Sequence, residues 1–160
     1  MWGVRATLKF LHEVATVGCA GGAAAQLLVS YAPSEDPRTL AALRAVALDI
    51  CHWITLPSLA LALVSGLLSL ALHRAFQSAE WVWAKALMTP LLLEGTVIGI
   101  LGPARSAAEL TAAAAAGEAL NVGAMAETLR IERYGLLLML ALFGAQIALA
   151  VWRPRVKRPA

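Results

Sequence analysis

Charge is scarce in this sequence, and most of the punctuation of a soluble enzyme is missing. Only 14% of the 160 residues are Asp, Glu, Lys or Arg, while 60% are hydrophobic and the mean hydropathy is +0.72. That balance excludes an ordinary water-soluble domain. The two cysteines, Cys19 and Cys51, each fall inside an apolar run and match no paired metal spacing, so both read as free buried thiols. No nucleophile–base triad, zinc-ligand spacing or glycine-rich phosphate loop occurs. The net charge of +3 does not point to nucleic acid either, because the basic residues sit beside apolar segments and form no patch interleaved with aromatics.

Long apolar runs are what the sequence does have. A span needs roughly 20 largely apolar residues to cross about 30 Å of hydrocarbon, and such stretches occur at 8–29, 50–72, 82–101 and 134–152. Their Leu/Ala-rich texture lacks the alternation of a barrel strand, and backbone amides in lipid must be paired within their own segment. The sequence therefore predicts an all-α integral membrane four-helix bundle, a single domain over 1–160 in contact with membrane lipid. Arg5 and Lys9 ahead of the first run, and Thr16-Val17-Gly18-Cys19 within it, faintly imitate a lipoprotein signal, but the run continues to Val29, beyond the usual length of a signal core. Between the first two spans, Pro33, Ser34, Asp36 and Pro37 mark a connecting loop over 32–43. Between the last two lies a long Ala-rich segment, 102–133, expected to carry one or two surface helices broken near 117–123.

Four spans put both termini on one side, together with the loop 72–80. That side holds Arg5, Lys9, Arg74, Arg153, Arg155, Lys157 and Arg158, whereas Arg38, Arg44, Arg105, Arg130 and Arg133 lie on the other, mostly in longer segments with acidic neighbours. The positive-inside rule places the termini in the cytoplasm, and the aromatic belts agree: Trp2, Trp81, Trp83 and Trp152 inside, Tyr31, Trp53 and Tyr134 outside.

Ionisable residues within spans cost about 2.5–3.5 kcal/mol at the centre on insertion scales, so each needs a partner, a ligand or a route to water. Four qualify. His12 shares a helical stripe with Cys19, Gly22 and Gln26, beside Gly18 and Gly22 that admit a close neighbour; it reads as an internal hydrogen-bond partner or as a haem ligand. His52 follows Asp49 by three residues, either an oriented imidazole or an interfacial helix start, and Pro57 releases the Trp53 carbonyl. Lys85 either snorkels to the cytoplasmic headgroups or points inward to a propionate or another anion. Glu94, deep in its span, is protonated, paired or at a site. At about 1.5 Å per residue, His12 and Lys85 form an inner-leaflet grouping, and His52 and Glu94 an outer one roughly 15–20 Å away.

Leu8-Lys9-Phe10-Leu11-His12-Glu13-Val14 followed by Gly18 to Gly22, together with Trp81-Val82-Trp83-Ala84-Lys85-Ala86-Leu87 and Gly102-Pro103, resembles a group of small four-helix bacterial membrane proteins. The group includes the copper-resistance protein D membrane domain, a four-helix membrane protoporphyrinogen oxidase and a branch without assigned function; Gly102-Pro103 fits that last branch. The resemblance implies a b-type haem near His12 and Lys85, with His12 on the iron, and a role in electron transfer or haem-linked redox chemistry. Glu94 stands where the oxidase branch carries a further histidine, and the methionine- or histidine-rich ligation of a copper importer is absent. The competing expectation is a cofactor-free accessory subunit that forms homo-oligomers or packs against a larger membrane complex through Gly18/Gly22 and Gly95/Gly99. Without a detectable repeat, and with few spans, a transporter is disfavoured.

Overall fold

The computed structural model describes residues 2–72 and 80–152. Arg74, Arg153, Arg155, Lys157 and Arg158, on which part of the topology argument rests, lie outside the described residues. Four long helices account for nearly all of the rest: α1 (Trp2–Tyr31), α2 (Pro37–Leu72), α3 (80–115) and α4 (Val122–Trp152). Each is long and apolar enough to cross a membrane. Successive helices pack side by side and α4 returns to α1, closing an up-down-up-down bundle. The chain is a small multi-pass membrane protein with an all-α four-helix fold.

Start and stop signals in the sequence explain most of the boundaries. Asp36 caps α2, its carboxylate accepting from the Thr39 amide at 2.9 Å and the Thr39 hydroxyl at 2.6 Å, with Pro37 in the first turn. Gly117 ends α3 in the left-handed region at φ 103°, and the amides of Gly117 and Glu118 reach back to the carbonyls of Ala114 and Ala113. This is the Schellman arrangement that glycine permits at low steric cost. Asn121 then caps α4, accepting from the Ala124 amide at 3.0 Å.

Helices 2, 3 and 4 outrun the predicted spans. The first connector shortens to 32–36, and 102–115 continues α3 as 122–133 begins α4, so the Ala-rich segment forms prolongations of spanning helices. At 36 residues, α2 is about 54 Å long, well beyond the hydrocarbon thickness. Its first third, 37–49, packs along 102–115, burying Arg44 and Ala47 beside Ala104, Ala107 and Thr111. Nothing in Ala-rich sequence stops a helix; of the three prolines that might have done so, Pro90 lies within regular α-helix and Pro57 and Pro103 are absorbed by wide turns. The backbone loosens to π-helical spacing at Ile50–Thr55, just before Pro57, and at Val97–Leu101, just before Pro103. A proline lacks the amide that would bond the carbonyl four residues earlier and clashes with it; a wider turn relieves both without breaking the helix.

Close packing follows from where side chains are missing. Gly18 and Gly22 let α1 lie against Ser58 and Thr55 of α2. On the opposite side, Gly135 of α4 faces the Gly99 carbonyl of α3, the one whose amide partner Pro103 removes; a Cβ at 135 would sit 2.6 Å from that oxygen. Between these seams lies a core of Cys19, Ala23, Cys51, Leu59, Leu92, Ile100, Leu136, Met139 and Phe143.

Two outcomes test this arrangement. Gly135→Ala must push backbone against backbone, so we expect a loss of about 1–3 kcal/mol in unfolding of the detergent-solubilised protein, whereas Gly21→Ala, which meets nothing, changes stability little. The Thr39 hydrogen bonds hold the Asp36 carboxyl below its ordinary value of 3.8. Because the folded-state value is depressed, the cap's contribution is fully present above that pH and is lost as pH falls through the lowered value. The difference in thermal stability between wild type and Asp36→Ala should therefore hold from neutral pH to about pH 5 and shrink below the ordinary aspartate range.

Candidate functional sites

His12 is half-buried and faces α2. Its Nδ1 lies 3.0 Å from the Ala62 carbonyl and 3.2 Å from the Ser65 hydroxyl. The Ser65 hydroxyl itself lies 2.6 Å from the Leu61 carbonyl and 3.2 Å from that of Ala62, bonds in which it is the donor. A carbonyl only accepts, so Nδ1 carries the proton and Nε2 keeps the lone pair in the neutral ring. Gly66, next to Ser65 on α2, stands against the same edge of the imidazole, where a Cβ would come 3.4 Å from Cε1 and 3.7 Å from Nδ1. Lys85, half-buried on α3, is close enough for its charge to act on His12, and Glu13 acts in turn on Lys85, although no hydrogen bond joins His12 to Lys85. One turn above, the Thr89 hydroxyl donates to the Lys85 carbonyl at 2.9 Å.

The outer grouping is not assembled. His52 is exposed, its ring edge-on to Trp53 with centroids 4.9 Å apart, and makes no hydrogen bond to Asp49. The π-helical turn that begins at Ile50 changes the angular step between those two positions, so spacing for a regular helix does not apply. Glu94 opens instead onto a groove between α3 and α4 whose lining does not include His52. Among the described residues no three of His, Cys, Asp and Glu converge as a metal site.

A third constellation was not singled out from the sequence. Gln26, Ser30, Arg44 and Glu132, from α1, α2 and α4, are at most 2% exposed. The Gln26 Nε2 donates to Glu132 Oε1 at 2.7 Å. Arg44 Nη2 donates to the carbonyls of Val29 and Ser30, both at 3.3 Å, and Arg133 donates to the Ser30 carbonyl and hydroxyl while its guanidinium lies 4.1 Å from the Tyr31 ring centroid. The two arginines thus cap the last carbonyls of α1, where Pro33 prevents the chain from continuing the helix. Arg44 and Glu132 interact through space without forming an ion pair, and Arg44 Nε and Nη1, Glu132 Oε2 and Gln26 Oε1 make no hydrogen bond. In the sequence, Arg44 and Arg133 counted only as outer-side charges; a lone arginine inside Leu40-Ala41-Ala42-Leu43-Arg44-Ala45-Val46 was the available signal.

Breaking one member of a buried charged set strands the others. We expect Arg44→Met and Glu132→Leu each to lower unfolding stability by about 3–5 kcal/mol, and the double variant to cost less than their sum by about 0.5–3 kcal/mol. Strict additivity in a denaturation series would show that the two side chains do not act as one unit.

No protein-family model, curated protein or solved structure matches the chain.

Proposed function

We propose that this small polytopic protein of the bacterial inner membrane holds a b-type haem through His12 and serves in electron transfer or haem-linked redox chemistry, with both termini in the cytoplasm. The observation that carries the reading is the Nδ1 contact with the Ala62 carbonyl. An imidazole anchored through one nitrogen presents the other as a ligand of defined direction, the arrangement found behind metal-bound histidines. Ser65 shares the anchoring, at 3.2 Å. Lys85 supplies a positive charge within reach of the same site, suited to a propionate. Haem would contribute one-electron chemistry; the chain's own residues orient the ligand, keep it neutral on the coordinating nitrogen and set the charge beside it.

Exposed Trp83 and Trp152 near one end, with exposed Tyr31, Trp53 and Tyr134 toward the other, support a transmembrane placement as belts at the two interfaces. A cofactor-free subunit docking through Gly18 and Gly22 would meet a face that α2 already covers.

The test is a reduced-minus-oxidised spectrum of protein purified in mild detergent after expression with a haem precursor. A b-type α band is expected in the wild type. His12→Ala should abolish it, and Lys85→Met should weaken haem retention about tenfold, the equivalent of one charge-assisted contact. A flat wild-type spectrum from folded protein, or an unchanged band in both variants, would overturn the site.

A further inference from the structure

The groove between α3 and α4 holds a feature that neither the haem reading nor the fold explains. Its volume is about 420 Å³, and its walls include Leu91, Leu138 and Leu142, with Gly95 and Gly99 leaving backbone bare of side chains. A Cβ at Gly95 would meet nothing within 4 Å. Two polar side chains line it, Glu94 and Thr96. The Thr96 hydroxyl is committed, donating to the Leu92 carbonyl at 2.6 Å and lying 3.7 Å from the Met139 sulfur. Glu94 is exposed in the groove and makes no hydrogen bond or ion pair with any described residue.

Depth makes that carboxyl informative. Along α3, Glu94 is roughly 13 Å from Lys85 and roughly 16 Å from Arg105, the nearest charged residues on either side, at about 1.5 Å per residue. It therefore faces hydrocarbon, beyond the reach of phospholipid esters at either surface. A carboxyl in an apolar groove needs a hydrogen-bonding partner, and an acyl chain offers none. A polar partner at that depth must belong to a molecule lying wholly within the bilayer, and the backbone bared at Gly95 and Gly99 suits a flat ring.

We propose that this groove binds a lipid-soluble molecule bearing a carbonyl on a planar ring, the chemistry of an isoprenoid quinone, with Glu94 as its hydrogen-bonding anchor. A cleft of this volume with apolar walls and a single orienting polar group has the character of a small-molecule site. The proposal does not depend on haem at His12, and its test reads the groove alone.

Full-length protein in phosphatidylcholine nanodiscs is treated with dicyclohexylcarbodiimide, a hydrophobic reagent for carboxylic acids, and modification of Glu94 is followed by peptide mass spectrometry. We expect labelling of Glu94, suppressed about tenfold by saturating decylubiquinone and unaffected by squalene, an isoprenoid without a carbonyl. Absence of labelling, no protection by the quinone, or equal protection by squalene would overturn the proposal. As a second reading, binding of radiolabelled decylubiquinone should weaken about tenfold in Glu94→Leu and in Gly95→Leu, which fills the slot; wild-type binding by both folded variants would overturn it as well.

Discussion

A helix that ends against its neighbours leaves its last carbonyls without intrahelical partners, and in a bundle this apolar there is little else to receive them. In this protein α1 ends at Tyr31; the Val29 carbonyl, which the Ala32 amide reaches at 3.1 Å, also accepts from Arg44 of α2, and the Ser30 carbonyl is met by Arg44 and by Arg133 of α4. Much of the half of the molecule around that end of α1 depends on this capping. It draws α2 back across the end of α1 through the short turn at 32–36, and it brings two cations beside Glu132 and Gln26. Guanidinium groups suit the task because each offers several donors in a fixed plane and always carries charge. Exchanging the arginines for lysine would keep the charge and lose the fork.

The prolongation of the helices beyond hydrocarbon has the same logic. Residues 37–49 and 102–115 need an environment in which an arginine and a threonine can be buried together, and they create it by packing on each other. Pro57 and Pro103, which might have ended these helices, are accommodated by π-helical turns just upstream. The turn before Pro103 frees the Gly99 carbonyl at the point where Gly135 lets α4 come closest. Backbone irregularity and close packing occupy one position, because only a residue without Cβ can lie against an exposed carbonyl.

Toward the N-terminal end of α1 the bundle is ordered differently. His12 is held by a carbonyl and a serine of α2, with Lys85 and Glu13 acting nearby, a polar neighbourhood about five turns of helix below the arginine caps. Between the two levels the interior is apolar, and the polar groups that remain, such as Thr55 and Thr96, are buried hydroxyls. Glu94 belongs to neither level. It turns outward, into the groove between α3 and α4.

The sequence by itself determined the solvent, the fold class and the chain's punctuation. Apolar runs of spanning length demand helices in lipid whatever their neighbours, and Asp36-Pro37 and Gly117 act through local backbone geometry that needs no tertiary partner. His12, Lys85 and Glu94 stood out for the same reason, since an ionisable residue within an apolar run is costly wherever it points. Direction and partnership were decided only by tertiary structure. That His12 turns to Ala62 and that Glu94 opens onto a groove depends on how α2 and α4 are rotated against α1 and α3. His52 failed to meet Asp49 because a π-helical turn altered the residue step. Gln26, Arg44 and Glu132 are so far apart in sequence that nothing but folding brings them together, and the cost of burying them is visible only once their surroundings are known.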